Sequence, residues 1–571
     1  MSRVKAKKPS LCTCELLTKE IISKSLSLLK EIVTSCYGPS GRLKQLHNGV
    51  GGSVCTTSSS SFLFSNLSVT HPILKILTTS VQNHILRFSD CGLFTAILCL
   101  NLVENFQRLN LSTSTVIKIS KHLLSLCTDY LNSETCGCRV SVDFSNMKTL
   151  LYLVQSILTS KPACLLNQKE AEHISTLILK AFLLTIPEKA KDHAILGKSI
   201  IVPLKDERVM NSTVLPGIVI EMPEVQLMSK FPIKKLPSDA LKVALFCVSM
   251  SGDISDPGEG ALVVSYGVSL ESAVLDQLLK LGNQLISDHV DIVVCQKVIH
   301  PALKQYLHQH RIITIDRVGI SLMEPLCEMT GAQPIGSLNF ISPTSYGYVK
   351  DLCSANFGSK HYFHLIPNDS TVCSLLLCNR NETAWNELKL VCQTAQHILQ
   401  LTIREPLALL GGGCTETHLA SFIRHKGISV PECILKVNDC TQAEYKIVVN
   451  AFCNALQSVA CSLEHDKGKI LTDRTYGHFW SIQPDFPSNM KWQDLVSKCG
   501  CGLYGNQEEL NWCLLQGVHS FASQNSSIQQ ATNSTGHLTL DCFTAKLHGL
   551  QVAVETASLI LDLSYIIEDK N

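Results

Sequence analysis

The sequence predicts an α+β chain of several domains, in which two helical parts flank an α/β part. Three observations carry that expectation. The length, 571 residues, allows three or four domains at roughly 150 residues each. Apolar residues recur at helical spacing towards both ends. Between them, apolar runs of strand length alternate with helical segments, the pattern of βαβ units on a parallel sheet.

In chain order, Ile22, Leu26, Leu29 and Val33 fall on one helical face, and the segment stops at the turn Tyr37-Gly38-Pro39-Ser40-Gly41. A Ser/Thr-rich stretch at 56–61 precedes His71-Pro72, where proline suits the first turn of a helix because its missing N–H costs nothing there. Amphipathic helices are expected over 93–109 and 116–131. In the middle, 241–246, 290–295 and 311–318 read as strands, and 269–287, 300–310 and 321–330 as helices. Helices return after about Cys373, over 385–401, 442–463 and 550–567. The last carries Val554, Ala557, Ile560 and Leu561 on its apolar side. The stretch 520–539, rich in Ser, Gln, Asn and Thr, reads as an exposed loop or insertion. The two helical parts are expected to pack as one.

Composition narrows the function classes. Hydrophobic residues are 45% and charged residues 17%, which excludes a mainly disordered chain. Lys and Arg number 49 against 48 Asp and Glu, with no basic stripe, so neither a nucleic-acid partner nor a membrane surface is expected. The longest uncharged apolar run, near 93–103, is too short to span a bilayer. No apolar run follows the basic start MSRVKAKKPSLC, so a reducing compartment and free thiols are expected for the 26 cysteines. The pairs Cys12/Cys14, Cys136/Cys138 and Cys499/Cys501 are C-x-C, and no C-x-x-C occurs. Buried cysteines acting as small apolar residues are the favoured reading, with no metal site and no zinc expected. Of the 20 His, none has metal-ligand spacing, and His361 and His364 are read as packed or surface groups.

Two glycine turns, Gly38-Pro39-Ser40-Gly41 and Gly411-Gly412-Gly413, could cradle phosphate, because successive N–H groups before a helix form an anion nest. A third segment is Asp90-Cys91-Gly92-Leu93-Phe94-Thr95-Ala96. In this order and spacing the three resemble the type II chaperonins, the family of the cytosolic ring chaperonin and the archaeal thermosome. The family's L-G-P-K-G-M-D-K-M-L, E-H-P and G-G-G-A-T-E are matched by Y-G-P-S-G-R-L-K-Q-L at 37–46, T-H-P at 70–72 and G-G-G-C-T-E at 411–416. Similar too are Val293-Val294-Cys295-Gln296-Lys297, the run from Met323 to Ala332, and Ala451-Phe452-Cys453-Asn454-Ala455-Leu456 beside the family's A-F-A-D-A-L. The resemblance covers nearly the whole chain except about 466–539. It implies a multidomain chaperonin fold: a helical equatorial domain (1–150 and 411–571), a small intermediate domain (151–205 and 373–410) and an α/β apical domain (206–372). The segment 251–268 lies where the family carries its lid.

The departures bear on chemistry. The family's acidic N-D-G falls on Ser58-Ser59-Ser60. Its Mg²⁺-serving aspartate falls on Cys91, two threonines on Leu93 and Phe94, and its hydrolytic aspartate on Thr394. Phosphoryl transfer needs metal charge and a positioned water, and a threonine hydroxyl cannot act as a base at neutral pH. The resemblance therefore implies no catalytic residue and a vestigial nucleotide site at Gly38, Pro39, Gly41, Gly92, Thr95, Gly411, Gly412 and Gly413. Binding of ATP and Mg²⁺ stays open, and efficient hydrolysis is not expected. It further implies an assembly factor for the ciliary coat complex called the BBSome. That factor would act with other chaperonin-like proteins and the cytosolic chaperonin, in the cytoplasm, at the centrosome or basal body, and in the nucleus. An active ATP-dependent foldase is the alternative, and a zinc or redox protein a third reading. Finally, 192–199 resembles a P-loop lacking its first glycine, with Gly197, Lys198 and Ser199 as its core. A strand-like run follows where a helix should open, so chance is the favoured reading.

Overall fold

The helix periods at the start of the chain translate directly into structure. Lys19–Ser35 forms one helix, capped by the Thr18 hydroxyl, which accepts the Ile21 N–H at 3.3 Å, and it buries Ile22, Leu26, Leu29 and Val33. The structure is a computed structural model. It describes residues 11–47, 55–187, 196–205, 207–222, 240–252, 270–338, 341–368, 371–428, 430–465, 469–473, 478–482, 499, 501, 512–514 and 538–568. The 520–537 insertion, most of the 251–268 segment and 192–195 lie outside the described residues. The chain divides into two compact units, Met1–Ser175 with Thr383–Asn571, and Thr176–Glu382.

The first unit is helical around one buried helix, Gly92–Gln107. It packs against helices Lys19–Ser35, Pro72–Phe88, Gln442–Cys461 and Phe543–Asp562. Every residue from Gly92 to Val103 is buried. The expected amphipathic pattern is absent because neighbours cover this helix on all sides, leaving no face for water. Its buried amide is satisfied locally, with Asn101 Nδ2 donating to Ile97 O at 2.8 Å. Pro72 opens its helix as the sequence suggests. The last helix runs Phe543–Asp562, starting before and ending short of the 550–567 expected. The chain then forms the strand Tyr565–Glu568, antiparallel to Leu11–Leu16, with Leu16 opposite Tyr565 and Leu11 opposite Glu568. A three-stranded antiparallel sheet places Leu407–Leu410 between Leu540–Cys542 and Arg139–Ser141. Its central strand delivers the chain to Gly411.

The second unit holds the predicted α/β layer. Leu241–Phe246, Ile292–Cys295 and Ile313–Ile315 are parallel, with Gly347–Val349 antiparallel on one edge. Both faces are covered. Val243, Leu245, Ile292 and Val294 join one core, and Ala244, Phe246, Val293 and Cys295 another. That explains strands that read as unbroken apolar runs. Two further three-stranded sheets escaped the sequence reading. Cys373–Asn379 lies between Ser199–Lys205 and Thr213–Pro216, while Lys360–Ile366 lies between Asp351–Phe357 and Ile218–Glu221. Among the described residues, no helix is long and apolar enough to cross a membrane.

Candidate functional site

The glycine turns converge within the helical unit. Gly38 has φ +82°, and a Cβ built on it would lie 2.6 Å from Leu463 Cδ2. Gly413 has φ +85°, and its Cβ would lie 3.3 Å from Leu463 Cδ1. Both positions demand glycine for backbone reasons, and one leucine side chain occupies the space both leave. His465 Nε2 meets Tyr37 O at 2.8 Å, tying the first turn to the same segment. A Cβ on Gly411 would approach Asp541 Oδ1 at 3.1 Å, and one on Gly92 would approach Ser60 Oγ at 2.8 Å. Pro39 and Gly41 complete the first turn, where Gly41 N–H donates to Gly38 O at 3.1 Å.

An ion triad sits at the meeting point. Lys546 Nζ lies 2.6 Å from Glu416 Oε1 and 2.9 Å from Asp541 Oδ2, with lysine and glutamate side chains 4% and 1% exposed. The same ammonium lies 4.1 Å from the centroid of the Phe94 ring. Burial would push Lys546 down, but Asp541 and Glu416 hold its pKa well above the ordinary lysine range. Burial also pushes the half-buried Cys91 thiol well above its usual range, reinforced by Asp90 and opposed by Lys546. Cys91 is thus a neutral thiol at the N-terminus of helix Gly92–Gln107, where it makes no side-chain cap. The nearby hydroxyls are engaged locally. Thr95 Oγ1 donates to Cys91 O at 2.9 Å, and Thr415 Oγ1 to Leu410 O at 2.7 Å.

These residues do not fit a hydrolytic Mg²⁺–ATP complex. The metal position holds a neutral thiol, the Glu416 and Asp541 carboxylates are paired with a fixed ammonium, and Leu463 fills the bare faces of Gly38 and Gly413. Thr394 lies in a pocket of about 480 Å³ together with Ser61, Gln82, Asn83, Ser89 and Gln393. None of the residues lining it is ionisable, and no carboxylate stands among them, although Ser89 meets His397 Nδ1 at 2.7 Å. The serine run brings a surprise. Glu387, from helix Glu382–Arg404, accepts from Thr57 Oγ1 at 2.7 Å and from Ser58 N–H and Oγ at 2.9 Å each. A buried carboxylate therefore stands at the position where the sequence loses one, though both its oxygens are engaged.

The P-loop-like residues belong to the other unit. Gly197 N–H donates to Thr185 O at 2.8 Å, Lys198 pairs with Glu324 at 2.5 Å, and Ser199 begins a strand, so no helix N-terminus opens there. The histidines on strand Lys360–Ile366 pair locally, His361 with Asn356 Oδ1 at 2.6 Å and His364 with Pro216 O at 2.7 Å.

Sequence reasoning missed Lys546, Asp541 and Glu387. The signal for the lysine was a charge among Phe543, Ala545, Leu547 and Leu550, all buried. The view of the cysteines as apolar fillers suits Cys392, where burial alone pushes the thiol up to about 12. It needs correcting for Cys414, Cys499 and Cys501, which gather with His478 so that all four potential ligand atoms lie within 4.8 Å of one another. Their distance in sequence hid them.

Comparison with known proteins completes the picture. The chain is 69% identical over 572 residues to the molecular chaperone MKKS of Homo sapiens and 64% identical to that of Mus musculus, covering the whole of each chain. It is 21% identical over 469 residues to the thermosome subunit beta of Methanothermobacter thermautotrophicus, covering 79% of this chain and 80% of that one. Residues 29–571 match one family throughout, and the chain belongs to it: the TCP-1/cpn60 chaperonin family.

Proposed function

We propose that this chain is a chaperonin-like assembly factor that works through protein contacts and has lost ATP hydrolysis. The observation that carries this reading is the Lys546–Glu416–Asp541 triad, which puts a fixed monovalent cation among the converged glycine turns. A tethered ammonium cannot bridge phosphate oxygens or polarise a water as a divalent ion does. The relatives named molecular chaperones support client binding as the retained activity. In keeping with the resemblance, the proposed client is the ciliary BBSome. Other chaperonin-like proteins and the cytosolic chaperonin would be partners, and the cytoplasm and centrosome the location. The equatorial, intermediate and apical division belongs to the same proposal.

One observation favours a second reading, an active foldase. Glu387 supplies a buried carboxylate at Thr57–Ser58, where the family's acidic motif falls. ATP turnover by the purified full-length chain, with and without Mg²⁺, separates the two. No Mg²⁺-dependent turnover is expected. Turnover abolished by altering Gly411–Gly413 would replace the proposal with the foldase.

A further inference from the structure

Cys414 opens the helix Cys414–Ile428, immediately after the Gly411–Gly413 turn. Its Sγ lies 3.1 Å from Cys499 Sγ, and His478 Nδ1 lies 3.2 Å from Cys499 Sγ and 3.6 Å from Cys501 Sγ. The three cysteines are 1%, 5% and 0% exposed and carry no disulfide. Tetrahedral zinc with bonds of about 2.3 Å to sulfur and about 2.0 Å to nitrogen puts two sulfurs roughly 3.8 Å apart and a sulfur and a nitrogen roughly 3.5 Å apart. The Sγ–Nδ1 spacing to Cys501 matches and the other two are shorter, so Cys499 must draw back by roughly half an ångström, a rotamer adjustment, for the centre to take an ion.

We infer that Cys414, His478, Cys499 and Cys501 form a structural zinc site. Three sulfurs and one imidazole nitrogen are a soft donor set that selects zinc over magnesium or calcium, and four protein ligands leave no position for a substrate. The apolar-filler reading fails on the histidine. A cysteine packed for volume needs no imidazole nitrogen aimed at it, and among the described residues this is the only group of its kind. Cys136 and Cys138 show the contrast, with sulfurs 3.5 Å apart and no place in such a group.

The position gives the ion a task. Thr539 N–H donates to Cys501 O at 2.7 Å, and Gly411 N–H donates to Thr539 O at 2.8 Å. Cys501 is therefore bonded through Thr539 to the same glycine turn whose next helix supplies Cys414. Zinc clamps His478, Cys499 and Cys501 onto the helix that follows the Gly411–Gly413 turn. Binding energy of such a site is folding energy.

The test is metal content of the full-length chain, purified under reducing conditions without chelator, followed by exchange with Co²⁺. The expected result is zinc stoichiometric with protein and, after exchange, the intense absorption of tetrahedral cobalt thiolate. The double variant C499S/C501S should lose the metal, whereas C136S/C138S should keep it. If the first variant fails to fold, Co²⁺ titration of the parent chain still decides. A folded parent chain that contains no zinc and takes up neither Zn²⁺ nor Co²⁺ overturns the inference, as does full metal retention by C499S/C501S.

Discussion

Replacing Lys546 by methionine removes the cation shared by two carboxylates and leaves Glu416, 1% exposed, without its counter-charge. Breaking a buried pair from one side costs about 3–5 kcal/mol, which denaturant unfolding would read as a lowered midpoint. The pH dependence has a definite sign. In the parent chain the native pKa of Lys546 is raised, so its stabilising effect is complete below the unfolded value of about 10.4 and is lost as pH climbs through the native value. The parent should therefore lose more stability than Lys546→Met between about pH 10 and 12, narrowing the gap between them. If that gap stays constant, the ammonium is not what holds the site. At this scale the sequence was half legible. Glu416 lies in a recognisable motif, but its partner is 130 residues away, and no local period reports such a pairing.

Helix Gly92–Gln107 is the element on which the helical unit turns. Leu98 is fully buried in it, and Leu98→Ala should cost about 2–5 kcal/mol, measured by thermal or chemical unfolding. A loss below about 1 kcal/mol would mean that the helix is less tightly surrounded than its burial indicates. Existence and type of long elements were legible because period reports packing: the first helix and the three parallel strands stand where the spacing puts them. What was missed lacked a complete local signal, for a different reason in each case. Cys373–Asn379 is buried at all but its last residue, so it shows no alternation to mark it as a strand. Its parallel partner Ser199–Lys205 does begin as a strand-like run, but Pro203 reads as its end, since proline argues against a strand. Tyr565–Glu568 is only four residues long and reads as more helix until a distant strand pairs with it.

At the scale of the whole chain, one unit is contiguous and the other is not. Thr176–Glu382 is a single stretch with its own two-faced sheet core, whereas the helical unit is assembled from segments on either side of it. A fragment spanning 168–382, which keeps helix Gln168–Leu184 whole, should unfold cooperatively on heating. A fragment ending at 175 should not, because Gln442–Cys461 and Phe543–Asp562, two helices that bury Gly92–Gln107, arrive only after 383. A non-cooperative 168–382 melt would show that its core needs the rest of the chain. The fold class and the helical–α/β–helical order were legible throughout, since they depend on local period. The site depended on contacts between distant segments.

The pairing of Leu11–Leu16 with Tyr565–Glu568 also sets a schedule for biosynthesis. At about 5–20 residues per second, the first strand leaves the ribosome roughly half a minute to two minutes before its partner does. Throughout that interval it is an open edge that other chains can pair with. Loss of Tyr565–Glu568 would extend that exposure indefinitely, so a stop codon just before Tyr565 should reduce yield out of proportion to the length of strand removed.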